Sequence, residues 1–101
     1  MNLGGIKVGS VELEQVVNSH KDILESAAIS VQLQGEATEK LIFYIVPKVN
    51  VEIENLKKEL NSMLAKRLNP LFKIFKIVTI DKLPRTASNK IIRRLLRNQL
   101  E

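Results

Sequence analysis

The chain contains no cysteine, which excludes a disulfide framework, a thiol nucleophile and thiolate metal sites. One histidine, His20, leaves almost nothing from which to build a transition-metal site or a Ser/His/Asp arrangement. Aromatic residues make up only 4% of the chain, and no aromatic motif for stacking RNA bases is present. No apolar run reaches the roughly 18 residues of a membrane span, and the N-terminus has no signal-peptide pattern. These absences together point to a soluble, cytoplasmic domain.

What is present is one small domain. At 101 residues there is no room for a second, and 45% hydrophobic residues are enough to fill a modest core. The net charge of +5 is unevenly spread. Residues 1–65 carry six Lys/Arg against nine Asp/Glu, whereas residues 66–101 carry ten against two. A basic half suits phosphates, nucleic acid or an acidic partner surface, and solvated helix faces would give the same count.

Three glycines within Asn2–Gly9 read as a tight hairpin. Ser10 is placed to cap a helix carrying Leu13, Val16 and Val17, with Glu12 and Glu14 complementing its dipole, and the helix is expected to end near Ser19. Alternation predicts a strand over Ala27–Leu33, and the continuous apolar run Leu41–Val46 predicts a central strand antiparallel to it. Asn50 is the expected cap of a second helix, where Ile53, Leu56, Leu60, Met63 and Leu64 recur at helical spacing. Glu54 and Lys58 form a supporting pair on that helix, and Asn69-Pro70 stops it. Residues 74–80 form a third strand. A polar loop, Asp81–Ser88, leads to a last helix with Ile91, Ile92, Leu95 and Leu96 on one face. The fold class is therefore α+β: a small three-stranded sheet with helices packed on it, plus an N-terminal glycine-rich hairpin.

No paired-carboxylate site or phosphate-binding glycine fingerprint stands out. One constellation does, Leu83-Pro-Arg-Thr-Ala-Ser-Asn-Lys90. Pro84 stiffens the loop entry, Thr86 and Ser88 can satisfy loose backbone groups, and Asn89 tolerates a left-handed conformation. Together they hold Lys90 at a loop–helix junction. A lysine positioned there suits developing negative charge on a transferring phosphoryl group; from residue chemistry alone, a solvated first-turn lysine is the competing account.

The segment Leu83-Pro-Arg-Thr-Ala-Ser-Asn-Lys-Ile-Ile-Arg-Arg94 resembles the C-terminal lysine motif of the AMP-forming acyl-CoA synthetases, members of the adenylate-forming enzymes. Met1-Asn-Leu-Gly-Gly-Ile-Lys-Val-Gly-Ser-Val-Glu-Leu-Glu14 is similar to the hinge motif of the same family. The two motifs bracket that family's small C-terminal lid, so the resemblance spans essentially the whole chain, 1–101. The wording of both motifs and Leu68-Asn-Pro-Leu-Phe72 look most like acetyl-CoA-synthetase-like enzymes.

The resemblance implies a ligase that makes an acyl-adenylate from a carboxylate and ATP and then passes the acyl group to CoA. Mg2+ would act in the complete enzyme without being bound by this domain. Lys90 matches the adenylation lysine. Gly5 matches the glycine past which the pantetheine thiol threads, with Gly4 and Lys7 beside it. A large N-terminal adenylation domain, absent from the chain, would carry most of the ATP and acyl pockets. The chain starts just past the usual hinge residue, so the expectation is a domain of a longer enzyme, inactive alone. Asn89 stands where the family usually has glycine. The alternative is a stand-alone basic module that binds nucleic acid or docks on a partner protein.

Overall fold

Residues 1–100 are described by the computed structural model. Their elements are β1 (Asn2–Leu3), β2 (Ile6–Lys7), α1 (Ser10–Val17), β3 (Ile23–Gln32), β4 (Glu39–Pro47), α2 (Ile53–Arg67), β5 (Ile74–Thr79) and α3 (Arg93–Asn98). This is the expected order of hairpin, α, β, β, α, β, α, and the fold is α+β.

The two-stranded hairpin β1–β2 stands apart from a sheet of order β3-β4-β5. β3 and β4 are antiparallel from Ile23↔Pro47 to Gln32↔Glu39. β4 and β5 are parallel from Leu41↔Ile74 to Ile45↔Thr79, and α2 supplies the crossover that parallel neighbours require. The apolar run in β4 follows from its central place, because both of its faces are covered. Leu41, Phe43 and Ile45 pack with Leu13 and Val17 of α1 and Leu56, Leu60 and Leu64 of α2. Ile42, Tyr44 and Val46 pack on the other side with Leu83 and Leu96. Each fully buried side chain of this kind contributes roughly 1.5–3 kcal/mol. The Tyr44 hydroxyl is satisfied by donating to the Leu96 carbonyl oxygen (2.9 Å), which ties α3 to the sheet.

Several local expectations are corrected. β3 starts at Ile23, not Ala27, because a register irregularity between Ile23 and Glu25 breaks the period-two pattern there. Leu33 lies beyond the strand and is exposed, and β5 stops at Thr79 rather than at residue 80. Gly9, not Ser10, is the cap residue of α1, which ends at Val17. Glu52 caps α2 in place of Asn50 by accepting from the Asn55 amide (2.6 Å). The Glu54–Lys58 pair is not among the ion pairs of the described residues.

The last helix begins only at Arg93. Ile91 pairs with Arg85 in an antiparallel bridge, and the Ile92 amide donates to the Pro84 carbonyl (2.9 Å). Those backbone groups are used across the chain rather than along a helix. Lys90 therefore sits in a turn, not at a helix N-terminus.

Candidate functional site

The Lys90 turn is built from its own side chains. The Asn89 amide donates to the Thr86 carbonyl (2.9 Å) and the Thr86 amide to the Lys90 carbonyl (2.8 Å). The Lys90 amide donates to Thr86 Oγ1 (3.1 Å), which also lies 3.0 Å from Ser88 Oγ. Asn89 has φ +69° and is the non-glycine residue in the left-handed region among the described residues, a conformation that asparagine tolerates better than most. Arg85 Nη1 donates to the Asn89 carbonyl (2.9 Å), and its Nη2 pairs with Glu25 of β3. Lys90 itself is exposed, and its ammonium makes none of the ion pairs among the described residues.

The hairpin is the second candidate element. Gly4 and Gly5 form its turn with φ +59° and +88°, the both-positive arrangement of a tight two-residue connection. A Cβ on Gly4 would lie 3.2 Å from Leu71 Cβ, whereas a Cβ on Gly5 would meet nothing within 4 Å. No packing inside the domain therefore forbids a side chain at Gly5; only its backbone angle does. Lys7 is exposed beside them. Glu39 anchors the hairpin to β4 by accepting from the Asn2 amide (2.6 Å) and the Ser30 hydroxyl (2.6 Å). The Ser30 hydroxyl foremost, and then the Asn2 amide, hold the Glu39 carboxyl below its usual pKa.

These two elements are not brought together. The Lys90 turn is tied to Glu25 and the hairpin to Glu39, the partner of Gln32. Seven residues of β3 separate those levels, roughly 23 Å at 3.3 Å per residue. Gly4, Gly5 and Lys7 share one end of the sheet, and Lys90 holds the other. A groove of about 450 Å³, lined by Val31, Leu33, Phe75, Lys76, Arg97 and Leu100 among others, includes none of the four.

Glu14 is corrected from dipole complement to buried tie. Only 7% exposed, it accepts from the Ala28 amide (2.8 Å) and takes the Arg93 guanidinium in a fork (2.7 and 2.8 Å from Nη2, 3.2 Å from Nε). Arg97 Nε donates to the Ser30 carbonyl (3.2 Å). The outer edge of β3 is thus closed by side chains from α1 and α3, which protects it from pairing with another chain.

Four of the ten basic residues of 66–101 donate hydrogen bonds inside the domain. Of the five arginines, Arg67, Arg85, Arg93 and Arg97 all donate within the domain. His20 is buried, its Nδ1 accepts from the Asp22 amide (3.1 Å), and so Nε2 carries the proton toward Glu59 (2.8 Å). Glu14, Glu25 and the roles of Arg85 and Arg93 were missed by sequence reasoning, since their partners lie 60 and 79 residues away.

No helix among the described residues is long and apolar enough to cross a membrane. No group of three or more His, Asp or Glu side chains able to hold a metal ion is formed among them.

Residues 12–90 match the family described as AMP-binding enzyme C-terminal domain. The chain is 51% identical over 105 residues to "Probable acyl-activating enzyme 17, peroxisomal" of Arabidopsis thaliana, with 99% of the chain and 15% of that protein covered. It is 37% identical over 103 residues to an acetyl-coenzyme A synthetase of Campylobacter jejuni, covering 96% of the chain and again 15% of the relative. The chain thus spans about one seventh of the length of these relatives. Among solved structures, a benzoate CoA ligase from Burkholderia xenovorans LB400 superposes with TM-score 0.76 at 36% identity, covering 89% of the chain and 18% of that chain. An acyl-CoA synthetase of Brucella canis gives TM-score 0.85 at 26% identity, covering 97% and 18%.

Proposed function

The chain belongs to the AMP-binding enzyme C-terminal domain family, and from that membership we propose that it is the mobile lid of an acyl-CoA synthetase. The proposed reaction has two steps. A carboxylate oxygen attacks the α-phosphorus of ATP and pyrophosphate leaves, giving the acyl-adenylate. The CoA thiol then attacks the acyl carbonyl and AMP leaves. The large adenylation domain would hold ATP, its Mg2+ and the acyl group. The domain on its own would be inactive. Its compartment is the cytoplasm, or the peroxisome, as in the name of the Arabidopsis relative.

One observation carries this reading: Lys90 and the Gly4-Gly5 turn lie at opposite ends of one rigid sheet. A lid that serves two half-reactions must offer a different end to the same reaction centre in each. In the first, the exposed Lys90 ammonium would offset charge as the carboxylate attacks phosphorus, an interaction stronger in the transition state than in the ground state. In the second, the hairpin would line the thiol's path. The open space around Gly5 would leave room for pantetheine, and Lys7 would add a cation to that approach.

The experiment pairs ATP–pyrophosphate exchange with thioester formation from pre-formed acyl-adenylate, in the chain joined to its large domain. Lys90→Ala is expected to lower exchange by about 100- to 1000-fold while leaving the thioester step intact. Gly5→Leu is expected to do the reverse. Gly5→Asn, which tolerates the positive φ with a smaller side chain, controls for backbone strain. Equal loss of both half-reactions in either variant would reject the assignment.

A further inference from the structure

We propose that Arg85, anchored by Glu25, is the positioning residue that aims Lys90; this rests on the reading of Lys90 as the adenylation lysine. The Thr86–Asn89 turn is closed by its own hydrogen bonds, so it moves as a unit. That unit is exposed throughout. Its two flanks are joined to each other by the Arg85–Ile91 bridge and the Ile92–Pro84 hydrogen bond, both at its base. A turn held only at its base can swing, and Lys90, whose carbonyl and amide both bond to Thr86, swings with it.

Arg85 supplies a tie above the base. Its Nη1 holds the Asn89 carbonyl at 2.9 Å, the peptide immediately before Lys90, at the residue with φ +69°. Its Nη2 is fixed on the Glu25 carboxylate of β3. A planar guanidinium serves both groups at once, because its donors are set in a rigid fork. A lysine ammonium, on a flexible stem, does not. The two side chains are 28% and 34% exposed, and an ion pair this open adds little to stability. What the pair supplies is orientation, so its loss should separate activity from stability.

The test uses the chain joined to its large domain, with both half-reactions measured for Arg85→Met, Arg85→Lys, Lys90→Ala and the swap Glu25→Arg/Arg85→Glu. Arg85→Met is expected to lower the kcat of adenylation by about 10- to 100-fold. Its KM for ATP and its thioester step should stay within about twofold of the parent, with Arg85→Lys lying between. The swap keeps an ion pair, but a carboxylate at position 85 has no N–H for the Asn89 carbonyl, so the melting temperature should stay near that of the parent while adenylation stays slow.

A second measurement does not depend on the role of Lys90. In the 101-residue chain, amide exchange at Asn89 and Lys90 should accelerate by about tenfold in Arg85→Met while amides of β4 are unaffected. Unchanged exchange there, full rescue of adenylation by the swap, or equal loss of both half-reactions in Arg85→Met would each overturn the proposal. If Lys90→Ala abolishes pyrophosphate exchange and Arg85→Met does not slow it, positioning fails and the Lys90 assignment stands. If Lys90→Ala leaves pyrophosphate exchange intact, it is the Lys90 assignment that fails.

Discussion

Replacing Glu14 with alanine removes four hydrogen-bond contacts at once, one from the Ala28 amide and three from Arg93. The Ala28 amide faces the closed edge of β3, and leaving it unpaired costs about 1–3 kcal/mol. Arg93 also loses its partner. Because its side chain is 28% exposed, water takes over part of that role, and the full cost of about 3–5 kcal/mol for breaking a buried pair does not apply. A total of about 2–4 kcal/mol is expected, a large fraction of the roughly 5–15 kcal/mol available to a domain of this size. The melting temperature should fall by roughly 10–25 °C. Urea unfolding followed by circular dichroism measures this directly, with an unchanged m-value showing that only stability has moved. Arg93→Met should cost about 2 kcal/mol, since it strands a carboxylate that keeps only the Ala28 amide. The double variant should reveal coupling of about 0.5–3 kcal/mol. A Glu14→Ala cost below about 0.5 kcal/mol, the range of an ordinary surface change, would refute the assignment of Glu14 as the tie that joins α1, β3 and α3.

Two further outcomes follow from local geometry. Asn89→Ala should destabilise the domain by about 1–2 kcal/mol, because its φ of +69° is unfavourable for a side chain with no polar group to compensate. Asn89→Gly should be neutral or slightly stabilising, and thermal melts of both variants check the pair. The Glu39 carboxyl has its folded-state pKa lowered, so its contribution is complete above the unfolded value of about 4.3 and is lost as pH falls through the folded one. Amide exchange at Asn2 should therefore accelerate only in acid beyond its ordinary pH dependence, and Glu39→Gln should remove that extra acid step.

The legible parts of this protein are those whose signals are local. β4 was readable because a strand covered on both faces must be apolar throughout, and Leu41–Val46 is buried at every position. The hairpin was readable because a both-positive turn calls for glycine, and Gly4-Gly5 supplies it. The left-handed Asn89 was legible in the same way. Errors arose where two local signals competed or a pattern was interrupted. Asn50 is a good cap residue, yet Glu52 has its carboxylate within reach of the Asn55 amide and takes the position. Ile91 and Ile92 carry helical spacing, but Pro84 and Arg85 capture their backbone groups first.

The family, the order of elements, and Lys90, Gly4, Gly5 and Lys7 as candidates could all be read along the chain, because each rests on residues within a few positions of one another. How far apart those candidates lie, and what holds them, came from the fold alone. The roughly 23 Å along β3 follows from the register of Glu25 and Gln32 against Val46 and Glu39, which no local pattern states. The ties at Glu25–Arg85 and Glu14–Arg93 join residues 60 and 79 positions apart. A carboxylate in a sequence reads as surface charge until the fold removes its water and supplies its donors.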